Sequence, residues 1–219
     1  NPKTAEIDGY TSYKSVLDIK DKVDLAIIIV PNHRVVETVR ECAAKGIKGI
    51  VLFTAGFRET ATAEGIKAEE EFLEIACKNE MRIIGPNAMG LYCPESGISF
   101  FPQLPRRTGD AALISHSGSL ANILCRMGPE KGIFFNKAVS VGNECDLSSS
   151  DFLDYFSAAK DIRIIAAYLE GIRKHRTFLE RLKIAAKTKP VIIWKMGITE
   201  EGAKAASSHT GAMLTQPHI

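Results

Sequence analysis

The sequence predicts an α/β protein built on parallel sheets, in two successive units. Three observations predict it. Short β-branched runs alternate with longer amphipathic stretches. A proline-rich break over residues 93–109 divides that alternation in two. Small and polar residues gather at nearly every predicted strand end, where such sheets bind ligands.

The elements follow in order. "DLAIIIV" (24–30) is apolar almost throughout, as a strand covered on both faces would be. A helix is expected from Arg34 to Ala44, stopped by Gly46. "GIVLFTAG" (49–56) is the second strand, and a charged helix follows from about Glu64 to Asn79. "RIIGPN" (82–87) is a third strand running into a turn. Strand–helix–strand order with short connections implies parallel pairing and right-handed crossovers.

Residues 93–109, "CPESGISFFPQLPRRTG", hold three prolines, two glycines and no period, and read as a linker. The rhythm restarts with strand "DAALIS" (110–115), and "SGSLANILCRMGPEKG" opens as a helix. Strand "KAVSVG" (137–142), helix 146–159, strand 162–170, helix 176–187 and strand 189–197 follow. This second unit reads as a flavodoxin-like doubly wound domain.

Composition bounds the function. The chain has 219 residues, 45% hydrophobic and 25% charged, with net charge +2, ordinary values for a soluble globular protein. No block of like charge argues for nucleic-acid binding. The five cysteines are scattered, with no CxxC pair, which reads as reduced thiols in a cytoplasmic protein and no metal site. The longest apolar run, residues 25–30, is far too short to span a bilayer. No signal peptide is visible.

Three strand ends carry candidate chemistry. In "SHSGSLA" (115–121), Ser117, Gly118 and Ser119 open a helix, where free N–H groups and the helix dipole favour an anion. Gly118 would let a phosphate approach the backbone closely. The ordinary alternative is a serine N-cap. "YLEG" (168–171) puts Glu170 at a strand end. A carboxylate there can accept the Nδ1–H of a histidine and leave Nε2 as nucleophile, or be merely solvated. His209 lies in "GAKAASSHTGAML" (202–214), too rich in Ser, Ala and Gly to build a core. Small neighbours suit a bulky phosphate or a moving loop, and histidine can carry a covalent phosphoryl group. Together the three suggest phosphoryl transfer through a phosphohistidine. His116 and His33 are weaker candidates for ligand contact; His175 and His218 read as surface residues. "TAGF" (54–57) and "GPNAMG" (85–90) are explained by turn chemistry alone or, functionally, by a nucleotide crevice.

The ordered series "NPK", "VDLAIIIVP", "TAGF", "RIIGPNAMG", "ALISHSGSLA", "SVGNECDLSSSDFLDYF", "AAYLEG" and "AKAASSHTGA" resembles the α subunit, or α half, of NDP-forming acyl-CoA synthetases. These are the ADP-forming acetyl-CoA synthetases, relatives of succinyl-CoA synthetase. The resemblance implies a CoA-binding Rossmann-like domain over residues 1–105 and a succinyl-CoA-synthetase-like flavodoxin domain over 106–219. It implies His209 as the phosphorylated histidine and Glu170 as its supporting glutamate. Ser117, Gly118 and Ser119 match the helix start that receives the phosphohistidine. Lys3, Thr54, Ala55 and Asn87 fall where the family contacts CoA. The implied reaction is acyl-CoA + Pi + NDP ⇌ acid + CoA + NTP. ATP or ADP and Mg²⁺ would be bound by an ATP-grasp β subunit or fused domain, in a hetero- or homo-oligomer without nucleic acid or membrane. Departures from the family are a first strand and Gly-rich turn expected ahead of "NPK" and a helix and strand expected after "SSHTGA". A catalytically silent CoA-sensing module of the same fold is the alternative reading.

Overall fold

The computed structural model describes residues 3–172 and 174–197. A short hairpin comes first, β1 (Glu6–Ile7) against β2 (Tyr10–Thr11). Two-residue strands carry no legible period, and the sequence reading did not include them.

The first sheet is parallel, in the order β3 (Leu25–Ile28), β4 (Gly49–Leu52), β5 (Arg82–Ile84). Helix α1 (Val35–Lys45) buries Val35, Val39 and Cys42, one per turn, and ends where Gly46 adopts a left-handed φ of 81°. Helix α2 (Ala63–Lys78) starts at Thr62, whose hydroxyl accepts the Gly65 N–H at 3.2 Å. Its Phe72 meets Phe57 edge to face at 5.2 Å, and both are fully buried. β3 departs from expectation: Ile27 is 56% exposed and Ile29 70%. An unbroken apolar run reads as covered on both faces, but Leu25, Ile27 and Ile29 fall on one face by the strand period, and that is the exposed face, while Ile28 on the other is buried.

The second sheet has five strands. β6 (Gly90–Tyr92), β7 (Ala111–Ser115), β8 (Phe135–Ser140), β9 (Ile164–Leu169) and β10 (Val191–Lys195) lie in the order β10-β9-β7-β8-β6. The last four in chain order pair in parallel and reproduce the flavodoxin strand order; β6 runs antiparallel to β8. Helices α3 (Gly118–Met127), α4 (Ser149–Ala158) and α5 (His175–Thr188) connect them. Strand β6 was missed, and it joins the second sheet although it precedes the proline-rich segment. That segment is packed down rather than free. Leu104 is buried, Phe100 and Phe101 pack beside it, and the Tyr92 hydroxyl donates to the Pro105 carbonyl at 2.5 Å.

The two sheets meet at their carboxyl ends. Val51, Ile84 and Ala88 share a core cluster with Ile114, Val139, Val141 and Leu153. The chain over residues 143–147 runs along residues 83–86: Asn143 N–H donates to Pro86 O at 2.9 Å, Cys145 N–H to Gly85 O at 2.9 Å, and Leu147 N–H to Ile83 O at 3.1 Å. Asp146 takes the Ile83 amide at 2.8 Å and the Arg82 guanidinium at 3.0 Å. Gly142 makes this approach feasible: a Cβ there would lie 2.1 Å from Pro86 O. No helix among the described residues is long and apolar enough to cross a membrane.

Candidate functional site

At the carboxyl edge of the second sheet, β7 and β9 pair with Ser115 opposite Tyr168, so the residues that follow emerge side by side. The Ser115 hydroxyl donates to Ser117 O at 2.6 Å and shapes the turn into α3. Ser117 caps that helix, its hydroxyl accepting the Leu120 N–H at 3.3 Å. The N-cap reading is therefore realised, and it leaves the N–H groups of Gly118 and Ser119 as first-turn donors without intrahelical partners. Ser119 is exposed. Gly118 also has a packing reason that the sequence does not show. A Cβ there would lie 2.5 Å from the Met89 Cβ, so its missing side chain makes room for Met89.

His116 is the centre of a buried tie, not a surface ligand group. Its side chain is fully buried, and its two ring nitrogens are both engaged. The Glu170 N–H donates to Nδ1 at 3.0 Å, and Nε2 lies 3.0 Å from Glu144 Oε1. An amide N–H can only donate, so Nδ1 carries the lone pair and Nε2 the proton. Glu144 Oε1 also accepts the Ser149 N–H at 2.7 Å, at the start of α4, where the helix dipole favours a carboxylate. Glu144 holds this position in a left-handed conformation, φ 53°.

Glu170, at the end of β9, is 3% exposed. Its carbonyl accepts from Lys195 Nζ at 3.2 Å. The Lys195 ammonium is held below its usual pKa by burial, with the Glu170 charge opposing the shift. The Tyr168 hydroxyl is pushed up, first by burial and then by the Glu170 charge.

The first sheet contributes its own strand ends. The Thr54 hydroxyl donates to Val30 O at 2.6 Å, and the Asn87 N–H to Thr54 O at 3.1 Å. Asn87 is exposed and left-handed, φ 56°, and its amide lies 3.5 Å from the buried Asn143. Ala55 is exposed beside Thr54. A continuous line thus runs from Val30 through Thr54, Asn87 and Asn143 to Glu144, His116 and Glu170. Lys3 is exposed in a turn ahead of the β1–β2 hairpin, on a separate element. His33 is exposed in a short 3-10 helix, Asn32–Arg34, after β3. His209 and His218 lie outside the described residues.

The sequence reading missed Glu144 and the role of His116. The one available signal was their position: His116 directly follows β7 and Glu144 lies four residues after β8, in "SHSGS" and "GNECD". Nothing local shows that residues 28 positions apart share a proton. Among the described residues no group of three His, Cys, Asp or Glu side chains is placed to hold a metal ion.

Residues 108–219 match the succinyl-CoA ligase-like flavodoxin domain, and residues 1–94 match a CoA-binding domain. An ADP-forming acetate–CoA ligase of Methanocaldococcus jannaschii is 42% identical over 220 residues, covering 100% of this chain and 31% of its own length. The alpha subunit of ADP-forming acetate–CoA ligase II of Pyrococcus furiosus is 42% identical, covering 97% of this chain and 46% of its own. A solved structure of the dinucleotide-forming acetyl-coenzyme A synthetase 1 of Ca. Korarchaeum cryptofilum, with phosphate and ADP, superposes with a TM-score of 0.86 at 35% identity. It covers 99% of this chain and 47% of its own. The chain spans 31–47% of the length of these relatives. It belongs to the family of succinyl-CoA ligase-like flavodoxin domains, carries a CoA-binding domain ahead of that fold, and aligns with the alpha part of ADP-forming acyl-CoA ligases.

Proposed function

We propose that this chain is the alpha part of an NDP-forming acyl-CoA synthetase, interconverting acyl-CoA, phosphate and ADP with acid, CoA and ATP. The observation that carries the reading is the β7–β9 register, which sets the Glu170 strand end beside the α3 start. An anion-binding helix start and a buried carboxylate then share one edge, and the CoA-side residues Thr54 and Asn87 are tied to it through Asn143.

Residues 1–105 form the CoA-binding domain and 106–219 the succinyl-CoA-synthetase-like domain in this reading. Lys3, Thr54, Ala55 and Asn87 contact CoA. A phosphate oxygen attacks the thioester carbonyl; the C–S bond breaks, and the thiolate leaves and takes a proton. The product is an acyl phosphate. His209 Nε2 then attacks its phosphorus, the P–O bond to the acyl group breaks, and the acid leaves as carboxylate. Glu170 accepts the His209 Nδ1–H and so keeps Nε2 unprotonated for attack. The N–H groups of Gly118 and Ser119, with Ser117 as cap, hold the phosphoryl oxygens. ADP finally takes the phosphoryl group at a site on an ATP-grasp part. Mg²⁺, bound there, offsets the nucleotide's charge. A small carboxylic acid is the substrate class, and the cytoplasm the compartment. The silent CoA-sensing alternative has no observation in its favour, since the relatives above carry ligase or synthetase names.

The test uses the full enzyme with its ATP-grasp part, labelled ATP and Mg²⁺. Acid-labile, base-stable phosphate on His209, discharged by acid plus CoA and absent in His209→Ala, is expected. CoA binding with no phosphorylation overturns the synthetase reading.

A further inference from the structure

The Glu170 main chain is gripped on both sides. His116 Nδ1 takes its N–H at 3.0 Å, and Lys195 Nζ reaches its carbonyl at 3.2 Å. His116 is itself held from the other side by Glu144, which is anchored at 2.7 Å to the Ser149 amide at the start of α4. The ends of β7, β8 and β9 and the start of α4 are thereby joined through one imidazole. Three ionisable side chains, His116, Glu144 and Glu170, are buried within it, where each would be costly without a partner.

We propose that His116 and Glu144 are positioning residues that fix the Glu170 backbone, and so aim the Glu170 carboxylate, by holding the imidazole as its Nε2–H tautomer. Neither touches the reacting phosphoryl group. The role rests on the phosphohistidine reading above. A carboxylate that orients a nucleophilic imidazole acts through angle and distance, and a slack strand end loses both. The groups holding a reactive residue in place commonly change rates about 10–100-fold when removed. Protonating Nδ1 would set two donors against each other, so the tie exists in one tautomer only.

The experiment pairs two readouts on the full enzyme with its ATP-grasp part. First, ¹⁵N NMR of the labelled enzyme reads the His116 tautomer. A bare, hydrogen-bonded Nδ1 and a protonated Nε2 are expected; an Nδ1–H imidazole overturns the proposal. Second, the rate of phosphohistidine formation is followed in His116→Phe and His116→Asn. The asparagine Oδ1 stands near the place of Nδ1 and can still accept the Glu170 N–H; phenylalanine cannot. His116→Phe is expected to lower the rate about tenfold or more, with KM for ATP unchanged within about twofold, and His116→Asn to recover most of the loss. An unchanged rate in His116→Phe, or equal loss in both variants, overturns the positioning role while the phosphohistidine reading stands. If His116→Phe does not fold, the tautomer and the His116→Asn rate still decide. Wild-type enzyme that takes no phosphate overturns the synthetase reading and the positioning role with it, whatever the tautomer.

Discussion

The two strand-end regions differ in how they treat polar groups. In the first sheet, Ala55 and Asn87 are exposed, and the loops are held mostly by bonds to main-chain carbonyls, among them Thr54 Oγ1 to Val30 O and Asn87 N–H to Thr54 O. In the second, Ser115, His116, Glu144 and Glu170 are all buried and bonded to one another's elements. An open rim suits a large ligand that brings its own hydration and leaves again. A buried rim suits a labile phosphoryl group, because fixed dipoles replace water around it. The contrast teaches that one sheet architecture can offer two kinds of strand-end environment, with burial as the variable, and the proposed function assigns one to CoA and the other to phosphate.

Three substitutions test that contrast. The largest effect is expected at the buried rim. Glu170→Gln keeps the shape and removes the charge, and should slow phosphohistidine formation about 10–100-fold in rapid-quench measurements. A normal rate would remove the carboxylate from the site. The junction between the rims comes next. Gly142→Ala places a Cβ 2.1 Å from Pro86 O at a φ of 57°, and should cost roughly 2–4 kcal/mol in urea denaturation. An unchanged midpoint would mean that the two sheets are not held at this point. The smallest effect is expected at the open rim. Thr54→Ala loses a single hydroxyl bond to Val30, worth about 1 kcal/mol. KM for CoA should rise by a factor of about 5, more than kcat falls. A collapse of kcat with unaltered KM would place Thr54 at the chemistry rather than at the ligand.

Much of the fold was legible in the sequence. The run 110–115 and the cap at Ser117 were readable because strand period and N-cap chemistry are written within a few neighbouring residues. Glu170 was readable as a polar residue ending an apolar run. Gly118 shows where local reading stops. A glycine after a strand fits both a phosphate and a close-packed neighbour, and the packing need set by Met89, 29 positions earlier, is visible only in the fold.

The sequence by itself determined the alternation of the longer strands and helices, the Ser117 cap and the Gly46 stop, since all of these depend on local periodicity and backbone preference. Tertiary structure alone decided the pairing of β6 in the second sheet and the exposure of Ile27 and Ile29 on one face of the first sheet. It also decided the conversion of His116 from a candidate ligand group into the middle of a buried tie, through partners 28 and 54 positions away. Local pattern records which face of an element is apolar. It does not record which other element arrives there, and the free energy of burying a charge is set entirely by that arrival.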